Sequence, residues 1–113
     1  MPAPRPDALI ELRDELRHFA DERDWDQFHS AKNLAIALSV EAAELLEHFQ
    51  WTETAADSAK VRAELADVLL YLIRLADKLN IDLAAAGREK IVLNARKYPA
   101  DQARGSSKKY TEY

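Results

Sequence analysis

The feature that most constrains this chain is a run of six apolar or aromatic residues, 68–73, within a segment of helical periodicity. At about 100° per residue, six consecutive side chains point in every direction around a helix axis. One side of such a helix can pack against the rest of a short chain, and the other side then needs a second cover. We therefore expect an all-α bundle of four to five helices, completed by homo-oligomerisation as a dimer or a tetramer.

The spacing of leucines and other apolar residues predicts four helices. Ser30 can cap the second helix, Thr54 and Asp57 together form a capping box for the third, and Asp82 can cap the fourth. The predicted bounds are about 7–23, 30–52, 54–80 and 82–97. Because Pro99 and Gly105 disfavour regular structure, we expect a mobile, extended tail over 99–113. This pattern predicts one domain over 1–113, with a helical core at about 7–98.

Length and composition narrow the class of protein further. The chain has 113 residues, two glycines and no cysteine. The length suits one domain, and the scarcity of glycine favours long helices. Without cysteine there is no disulfide, thiolate zinc site or cysteine nucleophile. Because no apolar run approaches the roughly 18 residues of a membrane span and the N-terminus lacks a signal-peptide core, we expect a cytoplasmic protein without a membrane partner.

The net charge of −4 conceals two opposite regions. Residues 41–67 contain seven acids and two bases, and residues 88–110 contain seven bases and two acids. Such a distribution suits a protein that binds a metal ion and a polyanion together. The acidic net charge and the modest basic excess argue against a partner of duplex nucleic acid.

Two acidic pairs are the strongest chemical signal. Glu41 and Glu44 are three residues apart in the second predicted helix, as are Glu64 and Asp67 in the third, so each pair shares a helix face. Apolar residues flank both pairs, and carboxylates in such surroundings need a compensating cation. Packed together, the pairs offer oxygen ligands for Mg²⁺ or, alternatively, Mn²⁺. Glu47, one turn further, is a candidate base for water.

Two other interpretations of these acids remain open. A Glu-x-x-Glu pair can be ordinary solvated surface, although two such pairs on adjacent helices make this less convincing. A di-iron bundle requires Glu-x-x-His motifs. His48 follows Glu44 by four residues rather than three, and the third helix contains no histidine. Oxygen ligands alone therefore favour Mg²⁺ or Mn²⁺.

Aromatic residues border the second helix. Trp25, Phe28 and His29 precede it and Trp51 follows it, an arrangement that can form a stacking slot for a nucleobase. Tyr71 lies one turn after Asp67 and could direct its hydroxyl to the acids. The alternative is that these rings simply close the core.

Basic and polar residues dominate the C-terminal part of the chain. Lys90, Asn94 and Lys97 share one face of the fourth helix and could hold phosphate oxygens. The segment 104–111 joins a flexible glycine to bases and hydroxyls, as a loop that folds over phosphates would. A solvated stripe and a disordered basic tail are the alternatives.

Taken together, these segments resemble the MazG-like all-α nucleoside triphosphate pyrophosphohydrolases, and among them the dCTP pyrophosphatase branch. The resemblance covers about 19–111 in the same order. The residues that carry it are Trp25, Phe28-His29, Asn33-Leu34, Glu41-Ala-Ala-Glu44-Leu-Leu-Glu47, Phe49-Gln50-Trp51, Glu64-Leu-Ala-Asp67-Val-Leu-Leu-Tyr71-Leu, Lys90, Asn94-Ala-Arg96-Lys97-Tyr98-Pro99 and Arg104-Gly-Ser106.

The resemblance implies Mg²⁺-dependent cleavage of a deoxynucleoside triphosphate, dCTP or a modified dCTP, to the monophosphate and pyrophosphate. It implies metal ligation by Glu41, Glu44, Glu64 and Asp67, with Glu44 or Glu47 polarising the attacking water. It implies a base and sugar pocket made by Trp25, His29, Trp51 and Tyr71. Phosphate contacts would come from Lys90, Asn94, Lys97, Tyr98, Arg104, Ser106 and Lys109. A related dUTP-type pyrophosphatase and a non-enzymatic helical interaction module are the alternatives.

Overall fold

Every regular element in the computed structural model, which describes residues 7–54 and 57–112, is helical. The helices are α1 (Ala8–Glu22), α2 (Ala31–Glu47), α3 (Ser58–Lys78), α4 (Leu83–Lys97) and α5 (Ala100–Ala103). Single turns of 3-10 helix lie at Asp26–Phe28 and Tyr110–Glu112. The predicted all-α class is thus confirmed. Within the described ranges, no helix is both long and apolar enough to cross a membrane.

Short polar side chains start the helices at the places the sequence indicates. Asp7, Ser30 and Asp82 precede α1, α2 and α4, and a side-chain oxygen of each accepts a hydrogen bond from a backbone N–H in the first turn. These bonds satisfy amides that have no partner within the helix. The predicted starts of these three helices are confirmed.

The predicted capping box of the third helix is wrong. Asp57 is itself the N-cap of α3, and its Oδ1 accepts hydrogen bonds from the amides of Ala59 and Lys60 at 3.0 and 3.3 Å. A carboxylate that already satisfies two amides in the first turn leaves no capping function for Thr54. The helix therefore begins at Ser58, four residues later than predicted.

The predicted end of the second helix is also wrong, since α2 ends at Glu47 rather than near residue 52. The amides of His48 and Phe49 donate to the carbonyls three residues back, at 3.2 and 2.9 Å. Bonds of this kind tighten the chain into turns and end the α-helical ladder. The apolar and aromatic residues after Glu47 continue the sequence pattern without continuing the helix.

The segment 99–113 is not wholly extended, as the sequence predicts, because residues 100–103 form α5. Pro99 precedes this helix with a φ of −56°, and its carbonyl accepts a hydrogen bond from the Ala103 amide at 2.8 Å. Proline disfavours a helix interior but is suited to a helix start, where no amide donor is required. The mobility of the tail stays a prediction.

Asp24 and Asn80 end α1 and α3 in the left-handed region, with φ of 54° and 55°. In each case the amide three residues beyond the helix end donates back into its last turn, as the Trp25 amide does to the Ala20 carbonyl at 3.0 Å. Short polar side chains tolerate this conformation better than branched ones. The turn at Asp24 places Trp25 directly against the end of α1.

The packing of the described residues separates into two compact units, the first ending at Ile81 and the second beginning at Asp82. In the first unit α3 packs against both α2 and α1. Its buried apolar side chains among the described residues are those of Ala20, Leu34, Ile73 and Ala76. The second unit contains α4 and α5. The prediction of a single domain stays a prediction.

One face of α3 carries a row of partly exposed leucines. Leu65, Leu69 and Leu72 recur at intervals of four and three, and they are 52%, 36% and 38% exposed. Side chains at this spacing form one stripe along a helix. The exposed stripe is what the apolar run predicts for a helix with a second packing partner, and homo-oligomerisation itself stays a prediction.

Ion pairs join α3 to α1 and to the first 3-10 turn. The Arg17 guanidinium on α1 binds Asp77 through two hydrogen bonds, one of them at 2.8 Å. The guanidinium of Arg74, which is 7% exposed, binds Asp26 at 2.8 Å in the first 3-10 turn. Lys78 also contacts Asp26. The hydrogen bond from Arg17 lowers the pKa of the Asp77 carboxyl, against the opposing effect of burial.

We predict that Asp77→Asn lowers the free energy of unfolding by about 3 kcal/mol at neutral pH, because it leaves two guanidinium groups without a nearly buried counter-ion. Since the folded pKa of Asp77 is depressed, this contribution is present above about pH 4, the unfolded value, and is lost as pH falls further. Urea denaturation at pH 7 and pH 3 measures both effects. Glu22→Gln, which removes exposed contacts with His18 and Arg23 and touches neither Arg17 nor Arg74, is the control and costs under about 1 kcal/mol. Equal losses in the two variants would contradict the prediction.

Candidate functional site

Three acidic side chains from two helices converge in the first unit. Glu41 on α2 and Glu64 and Asp67 on α3 each place one carboxylate oxygen within 4.8 Å of the others. Glu41 and Glu64 are half-buried and Asp67 is exposed. Because α2 packs directly on α3, acids that are distant in sequence become neighbours. We call these three residues the acidic cluster.

Two carboxylate oxygens of the acidic cluster are buried in the part of the chain that the structure describes. Among the described residues, the Oε2 atoms of Glu41 and Glu64 are buried and have no hydrogen-bond partner. Buried polar atoms without a partner are costly and uncommon. A hydrogen bond that a protonated Glu41 can make to Glu64, together with partial burial and the nearby Glu44, raises the pKa of Glu41 to about 7. A divalent cation would remove the same repulsion, so the oxygen donors fit a hard metal ion.

The two other predicted acids lie in different settings. Glu44 is half-buried, and its carboxylate is close enough to Glu41 to help raise the pKa of that group. It lies outside the set of three oxygens that could share one ion. Glu47 is exposed and also lies outside that set. Their predicted catalytic roles stay predictions.

A cleft with a volume of about 230 Å³ opens in the same unit. Its wall is mostly apolar and aromatic, and one acid of the cluster, Asp67, belongs to it. The lining residues are Leu16, Phe19, Ala20, Trp25, His29, Leu34, Asp67, Leu70, Tyr71 and Arg74. A mostly apolar cavity with a few polar groups suits a flat organic ligand, and the shared aspartate places it beside the acidic cluster.

Aromatic rings form one wall of this cleft. The rings of Phe19 and Trp25 meet edge to face with centroids 5.6 Å apart, and Trp25 meets His29 in the same way at 6.4 Å. The guanidinium of Arg23 lies over the Phe19 ring, 3.7 Å from its centroid. Such contacts hold the rings in defined positions.

The predicted aromatic residues separate into two groups. Trp25, His29 and Tyr71 share the cleft, whereas Trp51 is 87% exposed and is not among the lining residues. Trp51 follows the end of α2, in the turn region that the sequence assigns to the helix itself. All four remain predicted base and sugar contacts.

The predicted phosphate-binding residues lie in the second unit. Lys90, Asn94 and Lys97 are exposed at intervals of four and three along α4, with Tyr98 as its C-cap. Arg104, Ser106 and Lys109 are exposed in the segment after α5. Gly105 adopts a φ of 72°, which glycine accepts without strain. Their phosphate contacts stay predictions.

Sequence reasoning missed two residues of the cleft that matter for its chemistry. Phe19 fits the periodicity of the first helix as an ordinary core residue, yet it is 44% exposed and lines the cleft. Arg74 follows the apolar run directly and lies three residues after Tyr71, which places it near the same face of α3. A single basic residue directly after the apolar run and near the face of Tyr71 is a sequence signal from which the position of Arg74 in the cleft could have been predicted.

Comparison with known proteins agrees with this geometry. Residues 36–113 match the model of the MazG-like family. The human protein named dCTP pyrophosphatase 1 is 43% identical over 97% of this chain and 69% of its own length. The rat protein of the same name is 40% identical over the same shares.

A solved structure supports the fold. A crystal structure of a pyrophosphatase from Archaeoglobus fulgidus superposes with a TM-score of 0.79 and 40% sequence identity, covering 88% of this chain and 99% of that one. The predicted MazG-like all-α architecture is confirmed, and an enzyme is favoured over a non-enzymatic interaction module. The chain therefore belongs to the MazG-like family, a family of pyrophosphohydrolases, and it is an enzyme of that class.

Proposed function

We propose that this enzyme hydrolyses the α–β phosphoanhydride of a deoxynucleoside triphosphate, dCTP or a modified dCTP, to the monophosphate and pyrophosphate. The observation that carries the proposal is the convergence of Glu41, Glu64 and Asp67 beside an aromatic cleft that shares Asp67. The base of a nucleotide binds in a flat apolar slot, and its triphosphate needs its negative charge neutralised. The names of the curated relatives favour cytosine as the base.

In this proposal Glu41, Glu64 and Asp67 hold Mg²⁺, or alternatively Mn²⁺, with Glu44 as a further ligand. The bound metal supplies charge neutralisation for the triphosphate and activation of a water molecule. A carboxylate oxygen of Glu44 or Glu47 accepts the proton of the attacking water. The Oε2 atoms of Glu41 and Glu64 support this assignment, because they are buried acceptors without a hydrogen-bond donor among the described residues, and a bound cation would satisfy their lone pairs.

The remaining predicted residues divide between the two ends of the substrate. Trp25, His29 and Tyr71, with Trp51, contact the base and sugar. The phosphates are held by Lys90, Asn94, Lys97, Tyr98, Arg104, Ser106 and Lys109. Charge-assisted bonds from such groups stabilise the negative charge that develops as the anhydride breaks. We place the protein in the cytoplasm, where it removes unwanted nucleotides from the pool.

We predict pyrophosphate release from dCTP or a modified dCTP with Mg²⁺, and loss of activity on the order of 100-fold or more in Glu64→Gln. This variant preserves the shape of the side chain and removes its charge. A panel that includes dUTP, with detection of pyrophosphate, separates the cytosine preference from a dUTP-type activity. Glu11→Gln, an exposed acid on α1, is the matched control and should retain full activity. No turnover across the panel, or full activity in Glu64→Gln, would remove the proposal.

The raised pKa of Glu41 predicts how the metal-free protein responds to pH. Because this carboxyl binds its proton more tightly when folded, ionising it destabilises the fold as pH rises from about 4.3, the unfolded value, to about 7. We therefore expect the melting temperature in a chelator to fall over this range and Mg²⁺ to recover the loss at pH 8. In Glu41→Gln both effects should shrink. A metal-free protein whose stability is independent of pH would contradict this linkage.

We also propose a homo-oligomer, a dimer or a tetramer, in which the exposed stripe of Leu65, Leu69 and Leu72 is covered by another copy of the chain. Light scattering at micromolar concentration should give a multiple of the 12.8 kDa chain mass. Leu69→Lys should shift the mass towards that of one chain, whereas Lys32→Glu, an exposed change of charge on α2, should not. A folded monomer of the unmodified chain would refute this proposal.

A further inference from the structure

Arg74 is a nearly buried cation in the wall of the aromatic cleft, and its three donor groups reach three different acceptors. It is 7% exposed. Its Nε donates to Nδ1 of His29 at 3.2 Å, one Nη donates to Asp26 at 2.8 Å, and the other approaches Asp77 at 3.5 Å. The guanidinium thus joins α3 to the 3-10 turn that leads to His29.

The contact with His29 decides where the imidazole carries its proton. An arginine guanidinium can only donate hydrogen bonds, so Nδ1 of His29 must accept through its lone pair. In a neutral imidazole the proton then lies on Nε2. Since Nδ1 is occupied by Arg74, Nε2 is the nitrogen that remains for a ligand in the cleft.

We propose that Arg74 is a positioning residue, which holds His29 in its Nε2–H tautomer so that His29 acts as a hydrogen-bond donor to an acceptor atom of the ligand. This inference rests on the proposed function in one respect, that the ligand is a nucleotide. The acceptor is then a carbonyl oxygen or an unprotonated ring nitrogen on the base. A base edge that presents only donors at this position is rejected, because two donors would face each other.

The charges around His29 support a neutral donor. Arg74 and Lys78 face it from α3, and Asp26 faces it from the 3-10 turn. Burial is the largest influence on its pKa and lowers it, the two cations lower it further, and Asp26 acts in the opposite direction. The ring therefore keeps a free lone pair on Nδ1 for Arg74 near neutral pH.

The first experiment measures the tautomer and needs no substrate. Nitrogen-15 NMR of the full chain distinguishes the protonated from the unprotonated ring nitrogen, and the loss of one histidine signal in His29→Gln assigns the resonance. We expect Nε2–H to predominate in the unmodified chain. In Arg74→Met a mixture of tautomers should form, with a higher His29 pKa. Asp26→Asn removes the charge of a different Arg74 partner but keeps an oxygen acceptor for the guanidinium, so it should leave the tautomer unchanged.

The second experiment separates positioning from general support of the fold. Arg74→Met should raise KM for the nucleotide roughly 3- to 10-fold, the effect of one neutral hydrogen bond, with a smaller change in kcat. In a His29→Gln background, whose amide donates without help from Arg74, the same substitution should change KM by less than about 2-fold. Circular dichroism shows whether Arg74→Met is folded, so that a rise in KM caused by unfolding can be recognised.

Three outcomes would overturn the inference. The first is an Nδ1–H tautomer in the unmodified chain. The second is an unchanged tautomer in folded Arg74→Met, and the third is an equal rise of KM in both backgrounds. If the unmodified enzyme turns over no nucleotide, the proposed function fails and the NMR measurement still decides the role of Arg74.

Discussion

The packing of α2 on α3 is the interaction on which the site depends, because it holds like charges together against their repulsion. Glu41 and Glu64 bury an oxygen each with no partner in the described residues. The proximity of the Glu64 carboxyl, followed by partial burial, raises the pKa of Glu41. A surface cluster would relax by turning its side chains towards water. Here the helix interface keeps the carboxylates close, so a bound cation of high charge density would stabilise both the fold and the site.

The cleft depends on a second constraint, the way in which the chain leaves α1. The left-handed turn at Asp24 and the 3-10 turn after it bring Trp25 and His29 against Phe19 and α3. Arg74 then binds this turn through His29 and Asp26. The aromatic wall is therefore positioned by backbone geometry together with an ion pair whose cation, Arg74, is nearly buried. Asp67 connects this wall to the acidic cluster.

Local signals were read correctly where a single residue decides the structure. Ser30 and Asp82 start helices because a short polar side chain satisfies free amides in any context. The predicted end of the third helix at about residue 80 lies within two residues of the observed end, where Asn80 adopts a positive φ. The predicted helix bounds were wrong where several groups compete to form the hydrogen bonds at a helix end. Asp57 satisfied the amides that a capping box would have shared with Thr54, and the chain after Glu47 formed three-residue turns despite an apolar pattern.

The sequence by itself determined the all-α class, the family and the two acidic pairs, because helical periodicity and the spacing of three residues are properties of one segment at a time. Only the tertiary structure decided that three of these acids share one set of oxygens, that Trp25 shares a cleft with Tyr71, and that Arg74 binds His29. Those relations join residues up to 46 positions apart. The distances between their side chains are set by how α1, α2 and α3 pack, which no local pattern encodes.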